Sequence, residues 1–345
     1  MDNHEHLLIR AAFKKPVERT PVWVMRQAGR YLSEYRAVRE QAGDFLSLCM
    51  NPELAAEVSI QPLELMEVDA VIMFSDILTP LMGMGMELSF DPSPKFLNPI
   101  KSERDIEALK LVDPDVSTPY VGKILNIIRK EINNKVPVIG FAGGPFTLAS
   151  YLVEGEGSKL FSKFIKMLFD SPQAAHALMS KLTQMTIQYL NYQIENGAQM
   201  VQLFDTWAGI LPIDDYMEFV FPYVSQIFSE LDKKSEVPSV YYINGGHQLL
   251  KAMSKTGATV VGLDWRYDIG IANQLIGKDV ALQGNLNPNI LFCRPEIIKK
   301  KTAEILSKMK GENGHIFNLG HGIDKNVNPE HLKCMIKAVK ELSKR

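Results

Sequence analysis

The feature that most constrains this chain is a repeated order of short apolar runs and helical stretches. Eight runs, at residues 21–25, 70–74, 137–141, 200–204, 239–243, 260–263, 280–283 and 315–318, are almost continuously apolar and end in polar residues or glycine. A strand wetted on one face alternates apolar with polar residues, whereas a parallel strand covered on both faces does not. The segments between the runs carry helix signals. Ser171 can cap a helix whose first residue is Pro172, and Ala175, Leu178, Met179, Leu182, Met185 and Tyr189 then share one stripe. Asn328 and Pro329 repeat that start before Leu332, Met335, Ile336, Val339 and Leu342.

Eight β-then-α units in 345 residues predict an α/β protein, a single-domain (β/α)8 barrel of the TIM type over residues 1–345. Its active-site groups are then expected at the C-terminal ends of the strands. The alternative is an open doubly wound sheet, but no glycine-rich dinucleotide loop follows the first run. The longest irregular stretch, 83–99, exceeds what is usual for a structureless loop and is expected to hold local structure of its own.

Composition narrows the function classes. A formal net charge of -2 provides no general basic field for nucleic acid, so any anion site must be local. Cys49, Cys293 and Cys334 are far apart and form no CxxC motif, which fits a reducing compartment. No basic-then-apolar leader opens the sequence, and no run approaches the ~20 apolar residues that cross a bilayer. A cytoplasmic protein is expected.

The strand ends carry Arg26, Asp76, Gly143 and Gly144, Asp205 and Thr206, Asn244, Asp264, Asn285 and His321. Arg26 and Arg30 leave the first run four residues apart, and guanidinium groups bind carboxylates in bidentate fashion. Gly29 between them lets backbone approach a ligand. A strand end with solvated arginines is the plainer alternative. Asp76 lies among apolar residues and needs a partner or a purpose; a turn-capping carboxylate is equally compatible with the residues. The stretch from Gly140 to Thr147 could form a backbone anion cradle or a simple tight turn. Tyr151 follows it and could reach inward or belong to the core. His321, between two glycines, is expected to be exposed at a loop. His4, His6, His176, His315 and His331 read as surface or packing residues, and His247 is open to either reading.

Six motifs, in this order along nearly the whole chain, carry a family resemblance: MRQAGRY at 25–31, FSDILTP at 74–80, GFAGGPFTLASYLVEG at 140–155, GLDW at 262–265, QGNL at 283–286 and GHGI at 320–323. The chain resembles the uroporphyrinogen decarboxylase family. The resemblance implies a distorted (β/α)8 barrel, a homodimer with facing clefts, and conversion of uroporphyrinogen III to coproporphyrinogen III without metal or organic cofactor. It implies substrate contacts from Arg26, Gln27, Ala28, Gly29, Arg30, Asp76, Tyr151, Thr206 and His321, with Asp76 and Arg26 catalytic. The chain departs from the family pattern at Asn244, where lysine is common, at Asn287, at Ser33 and in segment 324–328.

Loss of CO2 from an acetate leaves a carbanion, and a protonated pyrrole can accept that electron pair as a cofactor such as PLP does elsewhere. The cation so formed calls for a nearby carboxylate, the part expected of Asp76. Two other readings use the same scaffold. A zinc-dependent corrinoid or thiol methyltransferase needs His and Cys ligands, yet no HxC motif is present and the cysteines lie away from the strand ends. A non-catalytic tetrapyrrole-binding protein would not need the full set of site residues.

Overall fold

The computed structural model describes residues 5–91 and 93–345, so His4 lies outside the described residues. Its strands are β1 (Val71–Ile72), β2 (Leu88–Ser89), β3 (Lys95–Phe96), β4 (Val138–Gly143), β5 (Met200–Phe204), β6 (Ser239–Tyr242), β7 (Val260–Gly262), β8 (Ala281–Gln283) and β9 (His315–Ile316). Seven of them form one parallel sheet in the order β1-β4-β5-β6-β7-β8-β9. Adjacent strands are joined by helical crossovers, as parallel pairing requires. In register, Val71 lies beside Val138, Ile139 beside Met200, Val201 beside Ser239, Val240 beside Val260 and Leu282 beside His315. All six residues of β4 are buried, so its unbroken apolar run reflects cover on both faces.

The first of the eight expected strands departs from prediction. Residues 21–25 make one bridge, Val22 to Phe317, instead of a ladder. Phe317 N donates to Pro21 O at 2.8 Å and Trp23 N to Phe317 O at 3.3 Å. On the opposite edge Asp69 N donates to Val22 O at 2.8 Å. Pro21 has no N–H to add. Side chains supply the remaining links: Asp69 accepts from Val22 N, Asn318 from Met25 N, and Gln27 accepts from Val24 N while donating to Ala70 O. The sheet therefore curls into a distorted barrel whose seam between β9 and β1 is closed by backbone and side-chain hydrogen bonds together.

Two apolar cores result. The inner one joins Trp23, Met25, Ala70, Ile139, Met200, Val240, Tyr242, Val260, Ala281 and Ile316 with Leu8, Ile9, Ala11 and Ala12 of helix Leu7–Ala12. That helix packs into the same cluster and seals one end of the barrel. Trp23 Nε1 donates to Gln283 Oε1 at 2.9 Å, and Gln283 Nε2 to Gln202 Oε1 at 3.1 Å, so these three side chains satisfy one another inside the barrel, while the buried Asn318 Nδ2 has no partner among the described residues. The outer core lies between the strands and the surrounding helices.

Helix Pro172–Glu195 buries the expected stripe, but Ser171 makes no capping hydrogen bond with its side chain. Asn328 does cap helix Pro329–Leu342, accepting from Glu330 N. Leu332, Met335, Ile336 and Val339 are buried, whereas Leu342 is 54% exposed in the last turn. The stretch 83–99 does hold local structure: β2 and β3 pair antiparallel there.

Candidate active site

The loop after residue 25 is shaped by its own glutamine. Gln27 N donates to Val24 O at 2.9 Å, and the fully buried Gln27 side chain binds Val24 N and Ala70 O. This tight turn places Arg26 at φ 63, in the left-handed region. Gln27, expected to bind substrate, has its side chain committed to the barrel seam. Ala28 is half-buried, and a Cβ on Gly29 would meet Arg26 O at 2.8 Å. Arg26 and Arg30 are both exposed, and neither guanidinium has a hydrogen-bond or ion-pair partner among the described residues. The two arginines differ in position. The charge of Arg26 acts on Asp76, Tyr151 and His321, while that of Arg30 is felt farther out, at Tyr35.

Asp76 follows β1 and is half-buried. Its Oδ1 accepts from Leu78 N at 2.8 Å, and the second carboxylate oxygen has no protein partner among the described residues. Burial pushes its carboxyl up to about 6, against the opposing pull of the Leu78 N–H and of Arg26. Asp76 thus caps its own turn and still has one oxygen to offer a ligand.

Tyr151 stands on helix Pro145–Glu154 and builds an aromatic wall with Phe161 and Trp207. Burial raises its hydroxyl pKa, so it is a neutral hydrogen-bonding group. Thr206, half-buried, begins the 3-10 turn Thr206–Ile210 that carries Trp207. Phe141, Phe204 and Tyr242 form a chain of ring contacts at the ends of β4, β5 and β6. Sequence reasoning missed this aromatic layer; its signal was an aromatic residue at or near the end of three successive runs.

His321 is less exposed than expected. Its glycine neighbours allow close packing: a Cβ on Gly320 would overlap Trp265 N, and one on Gly322 would overlap the Arg26 Cδ. The His321 ring lies edge-on to Trp265 with centroids 6.2 Å apart. Burial first, then the charge of Arg26, push its imidazole down to about 4, so it is neutral near pH 7.

The glycine-rich turn before Pro145 does cradle an anion, and the chain supplies it. Asp205 Oδ1 accepts from Thr147 N at 2.9 Å at the start of helix Pro145–Glu154, and a Cβ on Gly144 would overlap the Asp205 Cγ. Tyr241 donates to the other Asp205 oxygen at 3.3 Å. Asp264 and Asn285 are likewise buried and occupied: Gly245 N donates to Asp264 at 2.5 Å, and Asn285 Nδ2 donates to Asp264 O and Tyr267 O. Of the strand-end groups, Arg26, Asp76, Thr206 and His321 are left open to a ligand.

A groove of about 750 Å³ between helices Ser33–Ala42, Pro52–Met66 and Pro119–Ile132 carries Glu34, Glu53, Glu57, Glu64 and Glu131 and no cation. None of the site residues lines it, and its charge would repel a polyanion. Of the cysteines expected away from the strand ends, Cys49 departs from that expectation: it is buried in helix Phe45–Met50 within the field of Asp76, where burial first and then that charge push its thiol up, whereas Cys334 is in helix Pro329–Leu342. Among the described residues no three His, Cys, Asp or Glu side chains gather as a metal-binding group. No helix among the described residues is long and apolar enough to cross a membrane.

Residues 3–342 match the model of the uroporphyrinogen decarboxylase (URO-D) family. The chain belongs to the uroporphyrinogen decarboxylase family. It is 48% identical over 335 residues to the uroporphyrinogen decarboxylase of Trichlorobacter lovleyi, covering 97% of this chain and 98% of the relative. It is 49% identical over 340 residues to that of Pseudomonas putida, covering 97% and 96%. Among solved structures, a methyltransferase from Methanosarcina mazei aligns over 99% of both chains with a TM-score of 0.84 at 22% identity. A B12-independent methionine synthase from a Shewanella species aligns with a TM-score of 0.56 at 10% identity, over 84% of this chain and 88% of its own. At those identities the structural likeness speaks to the fold.

Proposed function

We propose that this protein removes the four acetate carboxylates of uroporphyrinogen III as CO2, giving coproporphyrinogen III, at the open end of the barrel and without metal or organic cofactor. The observation that carries the reading is Asp76, a half-buried carboxylate with one uncommitted oxygen, within the field of an arginine that has no partner of its own.

A proton added to a pyrrole carbon beside the acetate-bearing carbon turns the ring into a cationic electron sink. The bond to CO2 then breaks, and its electron pair enters the ring as an exocyclic double bond that neutralises the nitrogen. Protonation of the exocyclic carbon and loss of the added ring proton restore the pyrrole and leave a methyl group. Each turn consumes one proton and releases one CO2. Asp76 stabilises the cationic ring and accepts pyrrole N–H bonds at the macrocycle centre, as a fixed charge in a site of low dielectric. Arg26 and Arg30 bind peripheral carboxylates, the backbone of residues 27–29 lets the substrate approach, and Tyr151, Thr206 and His321 orient it through uncharged groups.

The test is anaerobic incubation of chelator-treated protein with uroporphyrinogen III, followed by oxidation and separation by carboxylate number. Stepwise appearance of species with seven, six, five and four carboxylates is expected. Recovery of unreacted substrate with tight binding would show a binding protein instead, and activity restored only by zinc would refute the cofactor-free mechanism.

The same reading makes the protein a cytoplasmic homodimer in which residues 1–345 act as one domain. Apolar side chains exposed along segment 160–217, among them Leu160 at 74% and Phe169 at 57%, support a partner surface beside the site. A monomeric mass in sedimentation equilibrium at micromolar concentration would rule the dimer out. Three free cysteines support a reducing compartment, and cell fractionation tests it. The pairing of Val22 with Phe317 and of Thr20 N with Ser343 Oγ ties both ends of the chain into one unit, for which a single thermal unfolding transition is expected.

A further inference from the structure

Beyond the residues the family resemblance points to, the loop after β7 carries an arginine held ready for a ligand. The Arg266 guanidinium lies 3.9 Å from the centroid of the Trp265 ring. Its Nη1 donates to Asn244 Oδ1 at 3.0 Å and sits 3.3 Å from Asp264 Oδ1. Asp264 is itself fixed, its side chain 2% exposed and accepting from Gly245 N and Arg266 N. Three contacts thus hold a side chain that would otherwise lose considerable rotamer freedom on binding. Only Nη1 is used: among the described residues neither Nη2 nor Nε has a hydrogen-bond partner, and the side chain is 45% exposed. Nε–H and Nη2–H are left, the two parallel donors of one edge, in the geometry that receives a carboxylate.

The position matters as much as the geometry. Trp265, under the guanidinium, also meets the His321 ring edge-on, and Gly322 next to His321 packs against the stem of Arg26. Arg26, His321, Trp265 and Arg266 therefore follow one another along the rim. We propose that Arg266 is a third carboxylate-binding residue, which holds a propionate of the tetrapyrrole beside Trp265; this rests on the decarboxylase reading above. A propionate fits better than an acetate. A guanidinium clamped on a departing carboxylate would stabilise its charge and oppose loss of CO2. A propionate stays through all four cycles, so a preorganised arginine serves as a constant anchor.

The experiment is steady-state kinetics of Arg266→Gln, with each intermediate assayed as substrate. KM is expected to rise about 10-fold for every step, the effect of losing a charge-assisted carboxylate bond, with kcat within about 2-fold. Inhibition by coproporphyrinogen III, which keeps the four propionates, should weaken by the same factor. Arg266→Lys should recover part of the affinity, and Asn244→Ala, which removes one anchor and leaves the guanidinium, should raise KM less. An unchanged KM in active protein, a fall in kcat alone, or an effect confined to one step would overturn the proposal. Should Arg266→Gln misfold, the Lys and Ala variants decide it by the same KM and inhibition measurements. An inactive wild-type protein would instead overturn the decarboxylase reading itself.

Discussion

The loops after β1 and β5 each carry an aspartate whose carboxyl burial pushes up to about 6, yet the two have opposite fates. Asp205 is fully buried, caps helix Pro145–Glu154 through Thr147 N and accepts from Tyr241. Asp76 is half-buried, spends one oxygen on Leu78 N and keeps the other free, with the charge of Arg26 nearby. The raised pKa is common to both, so it does not single out the carboxylate proposed for catalysis; what separates the two is unspent hydrogen-bonding capacity. One loop is finished as structure; the other is left open for a ligand.

The contrast can be broken from either side. Asp76→Asn should cost the most activity, about 100- to 1000-fold in kcat, as expected for removing a preorganised charge aimed at a transition state. The amide can still accept from Leu78 N, so folding should survive; a variant with near-normal kcat would remove Asp76 from the mechanism. Gly322→Ala should come next. Its methyl would overlap the Arg26 stem, and displacing that guanidinium should lower kcat/KM about 10- to 100-fold. Wild-type kinetics in that variant would show that Arg26 acts from another position.

Asp205→Ala is the reverse experiment. It strands the buried Thr147 N–H, removes the acceptor of the Tyr241 hydroxyl and should lower stability by about 2–4 kcal/mol in urea unfolding. An unchanged midpoint would contradict the capping role. The smallest effect is on pH dependence. A carboxyl whose folded pKa lies above its unfolded value contributes stability that is fully present below pH about 4 and lost as pH rises through about 6. Asp76→Asn should therefore be more stable than wild type by about 1–2 kcal/mol at pH 7, the shift being discounted for partial exposure, with the gap closing toward pH 4. A gap independent of pH would mean that Asp76 is not the titrating group.

The barrel was legible because buried parallel strands leave unbroken apolar runs, and seven of the eight runs became strands of one sheet. Residues 21–25 looked like the others, but a sequence pattern cannot show that Asp69, Gln27 and Asn318 take over hydrogen bonds that backbone would otherwise make. At the site, motifs brought out Arg26, Asp76, Tyr151 and His321, and the charge of Arg26 acts on each of the other three. Gln27 reads as part of the same motif, and only the fold shows it turned inward. Asn244 shows another limit. Its departure from lysine is visible in sequence, but the cation beside it, Arg266, is 22 residues away and is brought there by folding.

Arg26 occupies a backbone position that favours glycine, at φ 63, where a side chain costs about 1–2 kcal/mol. The conformation and the role proposed for the side chain therefore pull in opposite directions. Selection for a sturdier fold alone would drift toward glycine at residue 26 and discard the guanidinium. A laboratory screen for thermostability, run without an activity check, should discover the same trade.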